Sequence, residues 1–452
     1  MKVDNKKRDL SVSVMIFLGI IFFFFLGRQG PVMGPDSQTY IDYTDFNGVM
    51  PAYPLFISVL KIFLGEGNYL QGVFVVQGII ALVCSVYLTN SLKKQFGLLK
   101  WEMIIVFCLS LLPYAYSLPE YVVSHEIMTE SLSFSVFYVF ISFMLKGMLE
   151  KKISSIFCGA LPLLLLVLLR SQLLFLGVVY VSIIIYYCWA HNLFKDGRTV
   201  KRLLLLLCGI AVVVMLVFSI RSKVAGSGEN EKASQFVNSF FGKAMYLIDE
   251  EDYLNFEDEK LRDMCKRLFE SIDETGRRLP YAQEGLLKWE DIIVGQNENR
   301  KLGNDVMYEY YIDTAPHLSY WEKLELIEKD KTDIVKTIIF NNLSDFIKMY
   351  FYLLPSSFLS MVFIQKRSIY LLCNIYAIFF YTIYFCLLWK IYRNKSRETF
   401  LFAGLIMGTS VLNVLCTNAI MYGMQRYLVY TFGLLYIAVF LMYRSIRGQT
   451  CR

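Results

Sequence analysis

Histidine is scarce and cysteine is dispersed, and these two shortages remove several kinds of chemistry from consideration. His125, His191 and His317 are the only histidines in 452 residues. Eight of the ten cysteines fall within or beside long apolar runs and Cys451 is penultimate, which leaves Cys265 alone in the polar part of the chain. No CxxC pair or His/Cys cluster has the ligand spacing of zinc, and a single cysteine builds no disulfide framework. No internal repeat is detectable either, and inverted repeats mark many transporters. Charged residues are thin, at 19%. Apolar residues fill the chain instead: 56% are hydrophobic and 16% aromatic, with a mean hydropathy of +0.46. Soluble domains hold about 45–50% apolar residues, so the sequence reads as a polytopic membrane protein.

The expected fold is all-α, with about ten transmembrane helices near 10–26, 70–92, 102–118, 125–146, 154–170, 173–190, 203–220, 368–389, 399–417 and 424–443, each of spanning length. The first follows Lys2, Lys6, Lys7 and Arg8 and lacks a small-x-small cleavage site, so it reads as a retained span. Basic residues set the orientation. The six segments expected in the cytosol carry 21 Lys+Arg, against Arg28, Lys61, Arg170 and Arg426 on the short outward segments. By the positive-inside rule both termini are cytosolic, and the long segment from Arg221 to Arg367 is outside. The expected location is a plasma membrane, crossed many times, with a bacterial cell membrane the best match.

Three regions follow: residues 1–220, a membrane part with helices over about 31–69 in its first outer loop; 221–367, a helical extracytoplasmic domain between spans 7 and 8; and 368–452, a second membrane part. The middle region holds 26 of the 39 acids and 20 bases. That balance is unlike the basic stripe nucleic acid requires, so no nucleic-acid partner is expected. Its end, Thr332 to Phe363, is amphipathic and is expected to lie along the membrane surface.

Acids gather where the first loop and the fourth span meet the outer face. Gly34-Pro35-Asp36-Ser37 leads off, with Asp42 and Asp45 behind it, and Pro51 to Leu64 is too short to span. Asp36 or Ser37 can cap a short helix, or Asp36 can serve chemistry. In Ser124-His125-Glu126-Ile127-Met128-Thr129-Glu130, the two glutamates stand at i and i+4 and are expected on one face of a helix, beside His125. Glu126 suits the first-turn dipole. Glu130, a turn deeper, is the stronger functional candidate, because ionisable residues inside a membrane are expensive. Arg170 and Arg426 can each snorkel from a helix end, or together clamp an anion, since a guanidinium matches phosphate oxygens.

These residues resemble the GT-C class of polytopic glycosyltransferases, which includes protein O-mannosyltransferases and the transferases that add aminoarabinose to lipid A. The resemblance rests on Pro35-Asp36-Ser37, Ala52-Tyr53-Pro54-Leu55-Phe56, Thr129-Glu130-Ser131-Leu132, Leu169-Arg170-Ser171 and Gln425-Arg426-Tyr427. It implies transfer of a sugar from a polyprenyl-phosphate-linked donor to a glycan, lipid or protein acceptor at the outer face. It further implies Asp36 as general base or acceptor-orienting acid and Glu130 as a second catalytic acid. Arg170, Arg426, Tyr427, His125, Glu126, Tyr40 and Tyr53 become candidates for donor binding. A divalent cation, Mg or Mn, has a place between Asp36 and Glu130.

Two other classes share parts of this pattern. A polysaccharide polymerase or ligase would place its essential residues in the long loop, where Arg277, Arg278 and His317 are candidates. A transporter or flippase of lipid-linked glycans would show charged or broken helices at mid-membrane.

Overall fold

The computed structural model of the chain describes residues 10–34, 36–42, 49–115, 126–224, 231–282, 288–363, 369–420 and 425–450. Among them regular structure is helical, apart from one isolated parallel bridge between Val32 and Glu126. Among the described residues, seven helices are long and apolar enough to cross a membrane: Tyr69–Phe96, Thr129–Leu149, Ser171–Ala190, Gly197–Leu216, Tyr370–Arg393, Arg397–Ala419 and Arg426–Gly448. The other three expected spans are shorter. Leu10–Leu26 and Ile153–Leu169 sit at the lower limit for spanning. The third is Lys100–Leu111, which tightens into a 3-10 turn over Leu112–Ala115. Length and composition alone therefore qualify seven of the ten.

The chain divides into two compact units, the first being Met1–Phe218, Met361–Leu412 and Val429–Arg452. It opens with α1 (Leu10–Leu26), α2 (Ser37–Ile41), α3 (Ala52–Leu64), α4 (Tyr69–Phe96), α5 (Lys100–Leu111) and α6 (Thr129–Leu149). Next come α7 (Ile153–Cys158), α8 (Ala160–Leu169), α9 (Leu176–Ala190) and α10 (Gly197–Val224). Helix α6 is the hub, buried on most sides, with α4, α7 and α8 packed against it. Membrane helices gain little from apolar burial, so close packing through small residues matters most. Gly147 and Gly159 supply it: a Cβ at either would strike Ile156 or Met144. The 13-residue α3 stops at Gly65, whose φ of 74° turns the chain directly toward α4.

Ser219–Ser360 and Asn413–Leu428 form the second unit. Its helices are α11 (Glu231–Leu247), α12 (Glu259–Asp273), α13 (Lys288–Thr314), α14 (Tyr320–Asn341) and α15 (Leu343–Leu359). Phe241, Met245, Met264, Leu268, Met307, Ile334 and Ile338 make a core like that of a soluble helical domain. Cys265 is buried in it as a free thiol. Gly303 lets α13 approach α11, since a Cβ there would lie 2.9 Å from the Phe241 ring. Ser319 and Glu322 close a reciprocal capping box at the start of α14. The stretch 332–363 is not one surface helix: it breaks at Asn342, and Ile334, Val335 and Ile338 point into the core. Helix α15 keeps an exposed apolar face, through Leu343, Ile347 and Phe351 at i, i+4 and i+8.

The chain ends with α16 (Tyr370–Arg393), α17 (Arg397–Ile420), α18 (Gln425–Leu428) and α19 (Phe432–Thr450). Within the first unit, Arg444 fastens α19 by donating to Glu102 Oε1 at 2.7 Å and to the carbonyls of Phe96 and Gly97. A cation on the last carbonyls of α4 opposes the negative end of that helix.

Candidate functional site

The first loop reaches its place through backbone pairing. Ile127 N donates to Val32 O at 3.0 Å, beside the bridge between Val32 and Glu126. Ser37, fully buried, donates its hydroxyl to Ile127 O at 2.9 Å and accepts from Gly34 N at 2.7 Å. Gly34 has no room for a side chain: a Cβ would sit 2.6 Å from Met128 Sδ and 3.3 Å from Glu126 Oε2. These bonds also correct an expectation. Glu126 and Glu130 do not share a helical face, because α6 begins only at Thr129, behind an extended Met128, and the backbone at 126–127 pairs with the first loop instead.

The strand-like step delivers Glu130 to the first turn of α6, where a carboxylate is favoured by the helix dipole. Glu130 Oε1 and Arg170 Nη1 lie 2.5 Å apart, with side-chain exposures of 2% and 11%. Thr129 bridges the pair, accepting from Arg170 Nη1 at 3.0 Å and donating to Glu130 Oε2 at 3.2 Å. Arg170 is held at the C-terminus of α8, where the helix ends and its backbone turns extended. Beside them stands Tyr40, near the end of α2. Its phenol bonds Thr129 and feels the charges of Arg170, Glu130 and Asp36. Burial pushes the Tyr40 hydroxyl up to about 12, with Arg170 opposing and the two carboxylates adding to the rise. It stays a proton donor at any physiological pH.

Tyr53 lies under this group, completely buried, its ring edge-on to Tyr40 at 5.1 Å. Its hydroxyl donates to Gln77 Oε1 at 2.5 Å, and Gln77 Nε2 reaches Glu126 O at 3.4 Å. Burial, then Tyr40 and the two glutamates, hold the Tyr53 phenol well above its ordinary range. Gln77 was not singled out by sequence reasoning. An amide in the apolar run Phe74-Val75-Val76-Gln77-Gly78-Ile79 was the available signal, since a buried polar group needs partners. Tyr430 is within reach of the charges of Arg170 and Glu130 and lies edge-on to Phe134 at 5.1 Å.

Asp36 occupies the N-cap position of α2, yet its side chain makes no capping hydrogen bond. Ser37 makes the contacts that fix the loop, and Asp36 beside it is half-buried. Asp42 is exposed and bonded to Gln38. Asp45, Pro35 and His125 lie outside the described residues.

Asp36, Tyr40, Tyr53, Glu126, Glu130 and Arg170 thus all fall in the first unit, whereas Arg426 and Tyr427 belong to the second. There Arg426 Nη2 donates to Tyr427 Oη at 2.7 Å, and the guanidinium lies 4.8 Å from the Tyr427 ring centroid. Stacking of that kind pins a guanidinium in one plane. The loop residues suggested for a polymerase have partners or exposure of their own. Arg278 is buried, donates to Ile248 O at 2.9 Å and pairs with Asp273. Arg277 pairs with Glu298, and His317 is an exposed turn residue.

A divalent cation fits the pair Asp36 and Glu130 poorly. Both Glu130 oxygens already face a guanidinium or a hydroxyl, and among the described residues no three His, Cys, Asp or Glu side chains converge.

No protein-family model matches the chain, and no curated protein matches it. Among solved structures, it is similar to ArnT from Cupriavidus metallidurans bound to undecaprenyl phosphate, with 12% identity, 96% of this chain and 78% of that one covered, and a TM-score of 0.38. The apo state of the same protein gives 12% identity, coverage of 95% and 77%, and a TM-score of 0.33. At these values no functional residue is carried across.

Proposed function

We propose that the chain is a membrane glycosyltransferase that moves a sugar from a polyprenyl-phosphate-linked donor to a hydroxyl acceptor at the outer face of the membrane. The observation that carries this reading is the buried Glu130–Arg170 pair, bridged by Thr129, which Tyr40 also bonds, with the Asp36 carboxylate close enough for its charge to act on Tyr40. A guanidinium held by a carboxylate and a hydroxyl is preorganised for phosphate oxygens and needs no rearrangement as charge develops on them. The stacked Arg426 is proposed to bind phosphate on its chemistry alone.

In this reading the acceptor oxygen attacks the anomeric carbon as the bond from that carbon to the phosphate oxygen breaks. Asp36 takes the acceptor proton, and the polyprenyl phosphate leaves with the electron pair, its charge met by arginine. Glu130 keeps Arg170 in place, and Tyr40, which remains protonated, supplies a further hydrogen bond. No step is routed through a metal.

The test is release of polyprenyl phosphate from radiolabelled polyprenyl-phosphate sugars by the purified protein in detergent or vesicles, across hexose and pentose donors and a panel of acceptors. Product formed by the native chain and lost in Arg170→Gln and Glu130→Gln supports the reading. Absence of release with every donor tried, from protein that still melts cooperatively, refutes it.

A further inference from the structure

The second unit contains a buried polar knot to which the proposed reaction steps assign no role. Lys243, on α11, is 1% exposed, and its amino group donates to the carbonyls of Asn418 at 2.7 Å and Ala419 at 2.9 Å. Those are among the last carbonyls of α17, which have no partner inside their own helix. The amino group lies 5.3 Å from the ring of Phe240, one turn earlier on α11, and 5.8 Å from that of Phe346 on α15. The two rings stack at 6.2 Å. Ser357 of α15 adds a bond to Asn418 Oδ1 at 3.1 Å. From the other side, the Asn413 amide donates to Tyr427 O at 3.1 Å and Leu428 O at 3.4 Å. Asn413, Thr417, Asn418 and Ser357 are all buried.

A helix C-terminus is ordinarily closed by a following glycine or by water. Here it is closed by a lysine 175 residues upstream in the chain, on a helix whose other residues build the core of the domain. Burying an amino group is costly unless its donors are used, and this one spends them on fixing a helix end. The segment that follows that end is the one bearing Arg426, whose own partner Tyr427 has its carbonyl tied back to Asn413. We infer that Lys243 is a positioning residue: it fixes the end of α17 against α11 and α15, and thereby sets the place of Arg426 and Tyr427. That these two then meet the donor phosphate rests on the function proposed above.

The experiment has two arms. In the first, amide exchange is followed in Lys243→Met, which keeps an unbranched apolar chain between the two rings. Amides 417–420 should exchange at least tenfold faster, while 264–272, in the core of the same unit, stay as protected as in the native chain. Equal acceleration of both would mean that Lys243 merely holds the domain together, and no acceleration of 417–420 would mean that it fixes nothing; either overturns the inference. Should Lys243→Met fail to fold, Ser357→Ala takes the same test, with a smaller acceleration confined to 417–420 expected and its absence decisive. The second arm measures binding of decaprenyl phosphate and the donor KM. Lys243→Met should weaken binding about tenfold and raise KM with kcat largely kept, and it should add little in an Arg426→Gln background. Loss of affinity as a full further factor in that background overturns the positioning role. If Arg426→Gln alone leaves binding unchanged, the donor-site reading of Arg426 fails, and the exchange arm still decides the anchor.

Discussion

Glu130 Oε1 and Arg170 Nη1 lie 2.5 Å apart with almost no exposed surface, where α6 begins and α8 ends. Such a pair is a poor source of stability, because desolvation offsets the attraction, but losing one member strands the other at a cost of about 3–5 kcal/mol. Glu130→Gln and Arg170→Gln should each lower the melting temperature markedly in detergent. The double substitution should be less damaging than the two losses added, because no lone charge is left. Strict additivity in this cycle would show that the two do not act as a pair. Activity should be lost in all three.

Asp36 gives a second prediction, since its side chain does not cap α2 and Ser37 fixes the loop. Asp36→Asn should leave insertion, melting and donor binding near native while turnover falls by about 10²–10⁴-fold, the range of a general base. Asp42→Asn, changing an exposed acid bonded to Gln38, should do little. Near-native turnover in Asp36→Asn would return the residue to a turn role.

Several parts of this arrangement were legible in the sequence for definite physical reasons. Apolar length marked the helices long enough to cross a membrane, and acidic balance marked the polar helical segment over 221–367, because both are properties of composition. Glu130 stood out because charge is expensive inside a membrane, Arg170 because bases are few on the short segments, and Asp36 because it follows the first apolar run directly. What periodicity could not show was pairing between distant segments. The bridge from Val32 to Glu126 takes Glu126 out of any helix, and nothing local in Ser-His-Glu-Ile-Met announces it. Gln77 and Lys243 were passed over for the same reason: each is a single polar residue whose partners lie 24 and 175 residues away. The amphipathic pattern over 332–363 was real, but its first half serves the core of the domain.

Orientation is the third prediction, and it rests on the 21 basic residues of six segments set against four on the short segments of the opposite face. Reporters fused after Lys94, Lys152, Arg198 and Lys395 should read as cytosolic, and those placed within 231–282 or 288–330 as external. A cytosolic signal from the long segment would put it on the wrong side for an outer-face reaction and would remove the proposed function.

Lys243 supplies the last prediction, through pH. Burial pushes its amino group down to about 7, from 10.5 in the unfolded chain. Between those values the unfolded chain binds a proton that the folded one does not, so stability rises with pH across that window and is independent of this group below it. The core thiol Cys265 of the same unit, pushed up to about 12 by burial, works in the opposite sense as the unfolded thiol ionises. Comparison with Lys243→Met cancels it, because both proteins carry Cys265. The native chain should therefore gain stability relative to Lys243→Met as pH rises from 7 toward 10, read as a widening gap between their unfolding midpoints in denaturant. A gap that stays constant over that range would mean that the lysine keeps its charge in the fold, held by the Asn418 and Ala419 carbonyls and the two phenylalanine rings, and that the sign argued here is wrong.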